Sequence, residues 1–288
     1  MKNIFILKNL KEYNSNSLGS FYIIIAAIAF SSMAVCVKIL SDSLPIIQIA
    51  FLRCLISLMF LLPFFYTYPV RKMLQTNKIS LHFLRSVLGV IAMLCGFLAL
   101  SVLPLSDNTA ISFSRILFII PLSIFILKEK PTLLLVFATF IGYIGLITIV
   151  GFQNNYIYLK GYFIALLGAF FIALVKILVK FLSVSQRTLT IQLWFSIFSS
   201  TILLVPAYIF WTNPNIQELV LLIIISILGT VAQTFSVKAL RVGESTKIMP
   251  FDYSRIIFAT IYGYLLFDYI PNTNLFIGSA IIIISSIF

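Results

Sequence analysis

Charged residues are scarce in this chain of 288 residues, and acidic ones are the scarcest. Only 10% of the residues are charged, with 8 acidic against 20 basic side chains, whereas 61% are apolar. A soluble chain needs about a quarter of its residues charged to cover its surface. The apolar residues recur in runs of about 18–23, the length at which a helix crosses the hydrocarbon core of a bilayer. The composition therefore predicts an all-α integral membrane protein.

Groups that commonly carry catalysis or bind metals are also rare. His82 is the only histidine, and the three cysteines (Cys36, Cys54 and Cys95) lie inside apolar runs without metal-ligand spacing. We therefore expect no metal, no cofactor and no enzymatic activity. The net charge of +12 suggests nucleic acid at first sight, but the basic residues fall at the ends of apolar runs, as membrane anchors do. We expect the lipid bilayer as a partner and no nucleic acid.

Short polar or proline-containing joints divide the chain into ten predicted transmembrane helices. With the N-terminus in the cytoplasm, most Lys and Arg fall in inner connections, Arg85 among them, and acids such as Asp42 and Asp107 fall in outer ones. This asymmetry is typical of the positive-inside rule and predicts that both termini are cytoplasmic. The spans are 19–41, 45–66, 81–103, 106–127, 132–151, 161–182, 189–210, 216–240, 244–267 and 273–288, after a cytoplasmic segment 1–18.

Short motifs recur in the same order in the two halves of the chain. Residues 114–118 (SRILF) match residues 254–258 (SRIIF) at an offset of 140 positions, and four other matches have similar offsets. The pattern indicates duplication of a five-helix unit, as residues 19–151 and 161–288. Because five is odd, the two units cross the membrane in opposite senses. The expected fold is therefore two inverted five-helix repeats, an arrangement that many secondary transporters share.

The connections between the predicted helices and the last helix of each half resemble those of a known family. The turns KEKPT and DYIPN, with FIGYIGLITIV (140–150) and LFIGSAIIIIS (275–285), resemble the EamA-type carriers of the drug/metabolite transporter superfamily. The resemblance implies a secondary transporter of the bacterial inner membrane that moves a small metabolite by alternating access. More narrowly, residues 237–267 resemble S-adenosylmethionine uptake carriers of obligate intracellular bacteria. The chain departs from the family at Tyr269, where a glutamate commonly stands.

Three arginines fall near the middle of predicted spans: Arg53, Arg115 and Arg255. A charge at a helix centre costs roughly 2.5–3.5 kcal/mol on insertion scales, so each needs a partner or a watery cavity. Asp252 shares a helical face with Arg255, which is therefore in an internal ion pair or in a binding site. Arg53 and Arg115 have no acid within helical reach. They either line a cavity that binds an anionic or zwitterionic solute or are tied to backbone carbonyls.

Other polar and aromatic side chains near these arginines complete the predicted site. Lys38 and Lys176, near the ends of the first and sixth spans, are expected to snorkel to the interface. Pro121 and Pro250 lie inside the fourth and ninth spans and predict kinks, which are either hinges or static. The predicted substrate-binding residues are Arg53, Arg115, Arg255, Asp252, Tyr253, Ser114, Gln48, Gln192, Trp194 and Tyr262.

Two other functions remain open at this level. The same architecture suits an exporter of amino acids or amphipathic drug-like compounds. A membrane-embedded enzyme or a lipid scramblase belongs to a different class, and the chain has little of the acid or histidine chemistry that such an enzyme needs. No nucleotide-binding loop occurs, so we expect that ATP does not drive transport directly.

Overall fold

The computed structural model describes residues 2–61, 74–122, 133–150, 156–242, 248–270 and 273–287. These residues contain α-helices and one 3-10 helix, and no strand occurs among them. In chain order the α-helices are α1 Lys2–Leu40, α2 Ile46–Leu61, α3 Ile79–Val102, α4 Leu105–Ser112, α5 Ser114–Leu122, α6 Leu133–Val150, α7 Tyr156–Ser185, α8 Thr188–Ile209, α9 Ile216–Val242, α10 Ser254–Phe267 and α11 Thr273–Ile287, with the 3-10 helix Met249–Tyr253 before α10.

Several of these helices suit a bilayer by length and composition. In the described part of the chain, α1 (from Asn16), α3, α7, α8 and α9 are long and apolar enough to cross it, and α2 and α11 are shorter apolar helices. Large apolar side chains face outward, as at Phe163 (69% exposed) and Tyr208 (81% exposed). Such surfaces are stable against lipid rather than water. The helical architecture agrees with the sequence, and the count of ten spans remains a prediction.

Two of the predicted spans are broken rather than continuous. The span 106–127 divides at Phe113 into α4 and α5, and in the described part of the span 244–267 a 3-10 helix precedes α10. Pro250 lies in the 3-10 segment, and Ser112 donates from its hydroxyl to a carbonyl three residues earlier (2.7 Å), which competes with regular helix bonds. Both breaks come directly before a Ser–Arg pair. Residues 123–127 and 244–247 lie outside the described residues.

The helices pack in pairs, and the set of pairs stays the same when the two halves of the chain are exchanged. Helix α1 packs against α9, and α3 packs against α7. Helix α2 packs against α8, and α6 packs against α11. The predicted repeat mates are α1 with α7, α2 with α8, α3 with α9 and α6 with α11. If each helix is replaced by its repeat mate, the pair α1–α9 becomes the pair α7–α3. The pairs α2–α8 and α6–α11 stay the same.

A buried carboxylate joins three elements at the predicted outer end of the bundle. Asp107 in α4 is 4% exposed and accepts hydrogen bonds from the hydroxyls of Tyr162 (2.9 Å) and Tyr269 (3.1 Å). Tyr162 belongs to α7, and Tyr269 follows α10. The sequence placed Asp107 in an outer connection, whereas the structure buries it within the bundle. Tyr269 stands where the family commonly has a glutamate, and here it donates to this carboxylate.

Lys38 also makes an internal contact at this end. Its ammonium group donates to the backbone carbonyls of Leu100 (3.0 Å) and Leu103 (2.9 Å) at the end of α3. A helix leaves its last carbonyls without intrahelical partners, so a cation placed there satisfies two of them. The expectation that Lys38 snorkels to the interface stays a prediction. Within the protein, its side chain holds the ends of α1 and α3 together.

Asp107→Asn is expected to destabilise the folded protein by about 1.5–3 kcal/mol, because charge-assisted hydrogen bonds to a buried carboxylate are lost. Thermal unfolding of the purified protein in detergent measures the change. Asp42→Asn is the matched control, since Asp42 is exposed at the same predicted end. Equal unfolding temperatures for the two variants would contradict a stabilising role for the Asp107 cluster.

Candidate functional site

A cavity of about 260 Å³ lies inside the bundle, between helices of both halves. Much of its wall is apolar or small, including Phe30, Phe97 and Gly96. Cavities of this kind bind small molecules when a few polar groups are fixed in an apolar wall. The charged side chains in the wall are Arg53, Arg85, Arg115, Lys176, Asp252 and Arg255.

An ion-pair cluster forms one side of this cavity. Asp252 in the 3-10 helix pairs with the guanidinium of Arg115, and its other oxygen lies 3.2 Å from Arg255 Nε. Arg115 also donates to the carbonyl of Ser112 (2.9 Å), and the Arg255 guanidinium lies over the ring of Phe30 at 4.0 Å. The internal ion pair that was one alternative for Arg255 is thus present. It includes Arg115 from the other half of the chain.

The helix breaks position this cluster. Helices α5 and α10 each restart at the serine before the arginine, at Ser114 and Ser254. Arg115 and Arg255 are therefore first-turn residues of interrupted helices, and both side chains line the cavity. Discontinuous helices are tolerated at membrane depth where they line a cavity or are buried in protein.

Arg53 lies in the cavity wall without an acidic partner among the described residues. It is 5% exposed, and its Nη1 donates to Met93 Sδ at 2.8 Å. The thiol of Cys54 is a further neighbour. Sulfur is a weak acceptor, so neither contact neutralises the guanidinium charge. Its Nε has no hydrogen-bond partner in the described part of the chain.

Arg85 is the cavity residue that the sequence placed elsewhere. It was predicted in an inner connection, but α3 begins at Ile79 and Arg85 is 4% exposed. Its Nη2 lies 3.4 Å from Gln233 Oε1, and its guanidinium stacks on the ring of Phe195 at 3.8 Å. The Nε and Nη1 groups have no partner within the described ranges. The available signal was that Arg85 fell inside the span 81–103 rather than in a joint.

Lys176 is a second correction of this kind. The sequence predicted that it snorkels to the interface, whereas it lines the cavity and interacts electrostatically with Asp252. Among the described residues, the cavity wall therefore carries five basic groups and one acidic group. Such a wall attracts anions, or zwitterions through their negative end.

Six of the predicted site residues lie outside the cavity lining. Gln48 is fully buried and forms a two-point bond with the backbone of Thr212, at 2.6 and 2.9 Å. The hydroxyl of Tyr262 lies 3.0 Å from that of Ser32. Ser114 donates from its hydroxyl to the carbonyl of Ile111 in α4, across the helix break (2.7 Å). These contacts hold helices and a connection in place.

The other three lie in two further regions. Trp194 donates from its indole to the carbonyl of Leu74 (3.3 Å), and Gln192 is buried near it in α8. Tyr253 packs edge-on against Phe113, with ring centroids 4.7 Å apart. Of the ten predicted residues, the structure thus brings Arg53, Arg115, Asp252 and Arg255 together around one cavity. Their role in substrate binding remains a prediction.

The EamA-like transporter family matches residues 17–151 and again residues 159–288. The chain belongs to this family. The family resemblance inferred from the joints and the last helices is therefore confirmed, and an EamA-like protein of this kind is a multi-pass membrane protein.

Relatives of this EamA-like protein are named for different solutes. An S-adenosylmethionine uptake transporter of Rickettsia bellii is 28% identical, over 97% of this chain and 94% of that one. A riboflavin transporter of Vibrio cholerae is 27% identical, over 94% and 92%. A pseudopaline exporter of Pseudomonas aeruginosa is 24% identical, over 93% and 94%. These names indicate transport rather than catalysis.

A solved crystal structure has the same fold. Its chain superposes with a TM-score of 0.67 at 16% sequence identity, over 95% of both chains. At that identity the likeness concerns the fold alone.

Proposed function

We propose that this protein is a secondary transporter of the bacterial inner membrane that takes up S-adenosylmethionine by alternating access. The observation that carries the proposal is the cavity between the two halves, whose wall contains both buried arginines and aromatic side chains. S-adenosylmethionine is a zwitterion with an additional sulfonium cation: its carboxylate suits an arginine, and its adenine and sulfonium suit ring faces. The Rickettsia relatives named for its uptake favour this solute over others.

Alternating access follows from the proposed inverted repeats, 19–151 and 161–288. Three observations support them: the family matches the chain twice, the helix pairs are preserved when the halves are exchanged, and a helix break precedes Ser–Arg in each half. If the halves exchange conformations, the outward-open and inward-open states are related by symmetry and have similar energy. We propose that both termini lie in the cytoplasm, which the distribution of Lys and Arg supports.

Uptake by proteoliposomes tests the substrate. Liposomes that contain the purified protein are expected to accumulate labelled S-adenosylmethionine above protein-free liposomes. Gly96→Leu is expected to abolish uptake, because residue 96 lines the cavity and a Cβ there meets nothing within 4 Å. The leucine therefore fills the cavity without a clash at its Cβ. Gly263→Leu is the control, since a Cβ at that position also meets open space and Gly263 lies outside the cavity lining.

A competition panel decides between solutes. Unlabelled S-adenosylhomocysteine, riboflavin, single amino acids and nucleotides are added to the same assay. Strong competition by S-adenosylhomocysteine alone supports the proposed class. Absence of S-adenosylmethionine uptake, together with Gly96→Leu-sensitive transport of riboflavin or an amino acid, would contradict it.

An exporter of amino acids or amphipathic compounds is the second candidate function. The pseudopaline exporter among the relatives favours it, because the same fold there is named for movement in the opposite direction. Counterflow from preloaded liposomes and accumulation in intact cells distinguish the directions. A membrane-embedded enzyme or a scramblase has no relative among those described above to support it.

A further inference from the structure

Two arginines of the cavity differ from the others in lacking an anionic partner. Arg53 from α2 and Arg85 from α3 are 5% and 4% exposed, and both line the cavity. Within the described residues no carboxylate lies within ion-pair distance of either. Arg115 and Arg255, in contrast, share Asp252. The wall therefore has a charge-compensated side and an uncompensated side.

The contacts of the uncompensated pair leave strong donors unused. Arg53 donates to the thioether of Met93, and Arg85 approaches the amide oxygen of Gln233. The Nε of Arg53 and the Nε and Nη1 of Arg85 are buried without an acceptor from the described part of the chain. Buried polar groups are nearly always hydrogen-bonded, so these donors need an explanation. An acceptor that is not part of the chain supplies it.

The two guanidinium groups carry like charges and line the same cavity. Two buried like charges are costly at membrane depth, and an anion between them relieves both the repulsion and the unsatisfied donors. The planar guanidinium fork matches the two oxygens of a carboxylate or a phosphate.

The neighbouring helices are shaped to hold these side chains. A Cβ at Gly229 of α9 would lie 2.7 Å from Arg53 Nε, so any larger residue there would displace the guanidinium from its present position against that helix. A Cβ at Gly89 of α3 would lie 2.8 Å from the ring of Phe195, on which Arg85 stacks. The glycines stand 140 residues apart, the same offset as the Ser–Arg motifs. Each half thus supplies a glycine that places a side chain at this side of the cavity.

We propose that Arg53 and Arg85 form the anion subsite of the transporter, which binds the carboxylate or phosphate group of the transported solute. The proposal rests on the proposed function, because the solute is the one that this cavity transports. The cluster of Arg115, Asp252 and Arg255 then holds the two interrupted helices together. For S-adenosylmethionine the group that binds Arg53 and Arg85 is its carboxylate.

Binding to single-arginine variants tests the subsite. Arg53→Met and Arg85→Met are each expected to weaken S-adenosylmethionine binding about tenfold to hundredfold, as loss of a charged hydrogen-bonding partner does. The wild type is expected to bind the decarboxylated analogue more weakly by a similar factor, and the variants are expected to bind both compounds alike. Arg241→Met, which removes an exposed arginine of α9, is the control and keeps wild-type binding.

Unfolding temperature without solute separates this role from a structural one. Removal of an uncompensated buried charge is expected to leave the unfolding temperature unchanged or to raise it. A structural arginine would give a lower temperature. Arg85→Lys and Gly229→Ala keep the charge but change the geometry, so they test the site even if a methionine variant fails to fold. Both are expected to weaken binding.

Titration with simple anions tests the anion subsite independently of which solute is transported. Acetate and inorganic phosphate, each titrated with the purified protein, are expected to raise the unfolding temperature of the wild type and not of Arg85→Met. Whichever of the two acts at lower concentration identifies the oxyanion. If S-adenosylmethionine is not transported but this difference holds, the solute is wrong and the subsite stands. Wild-type affinity for S-adenosylmethionine in all four variants would overturn the subsite while leaving uptake intact.

Discussion

Asp252→Asn is expected to be the most destabilising single substitution of a charged residue in the cavity, by about 3–5 kcal/mol. Asp252 is the only acidic residue of the cavity wall among the residues that the structure describes, and both of its carboxylate oxygens face guanidinium groups. Its loss leaves Arg115 and Arg255 buried without an anion. The measurement is the unfolding temperature in detergent, together with the yield of monodisperse protein.

Asp268→Asn is the matched control for this substitution. It removes the same charge from an exposed position, and asparagine tolerates the left-handed backbone of residue 268 (φ 50°). Adding Arg115→Met to Asp252→Asn removes one of the two uncompensated charges and is expected to restore part of the stability. Asp252→Asn with the stability of Asp268→Asn would show that the cluster does not hold the interrupted helices together.

Gly145→Val is expected to prevent close packing of α6 against α11, and with it most recovery of folded protein. A Cβ at residue 145 would lie 2.8 Å from the backbone carbonyl oxygen of Gly278 and 2.9 Å from a side-chain carbon of Ile281. A backbone atom cannot move aside as the end of a side chain can. Overpacking costs about 1–3 kcal/mol or more in a packed interior, and valine adds two further methyl groups.

Gly263→Ala is the control for this substitution, because a Cβ there meets no atom within 4 Å. Its unfolding temperature is expected to match that of the wild type or to exceed it, since alanine favours the helix. Size-exclusion profiles and unfolding temperatures provide the comparison. A Gly145→Val protein with the wild-type profile would mean that α6 and α11 do not approach as closely as the structure indicates.

The class of fold was predicted well from the sequence, because the length and polarity of an apolar run determine whether it forms a membrane-spanning helix. Every stretch that can cross a bilayer must satisfy its backbone internally, so an apolar run is a helix. The kink predicted at Pro250 falls in the 3-10 segment before Ser254, whereas the break at Phe113 escaped prediction. No proline stands at Phe113, and the hydrogen bond from Ser112 to the carbonyl of Thr109 is too weak a signal in sequence.

The candidate site was predicted in part, for a related reason. Arginines at mid-span pointed to a cavity, and four predicted residues line it. The partner of Arg115 could not be predicted, because Asp252 is 137 residues away and belongs to the other half. Arg85 escaped because charge placement along the chain separates loops from spans only to within about a turn. Gln48 and Tyr262 were predicted in the site because their side chains are polar. In the packed bundle they contact the backbone of Thr212 and the hydroxyl of Ser32 instead.

The amino-acid sequence alone determined that this chain is a helical membrane protein, that its family is that of the EamA-like transporters, and that buried cations need explanation. Each of those properties rests on many residues or on several short motifs, so none of them depends on a single contact. Only the tertiary structure decided which cations are neutralised: it paired Arg115 and Arg255 with Asp252 and left Arg53 and Arg85 facing the cavity with donors unused. Charge compensation depends on distances of a few ångströms between segments that are remote in the chain, and helix packing sets those distances.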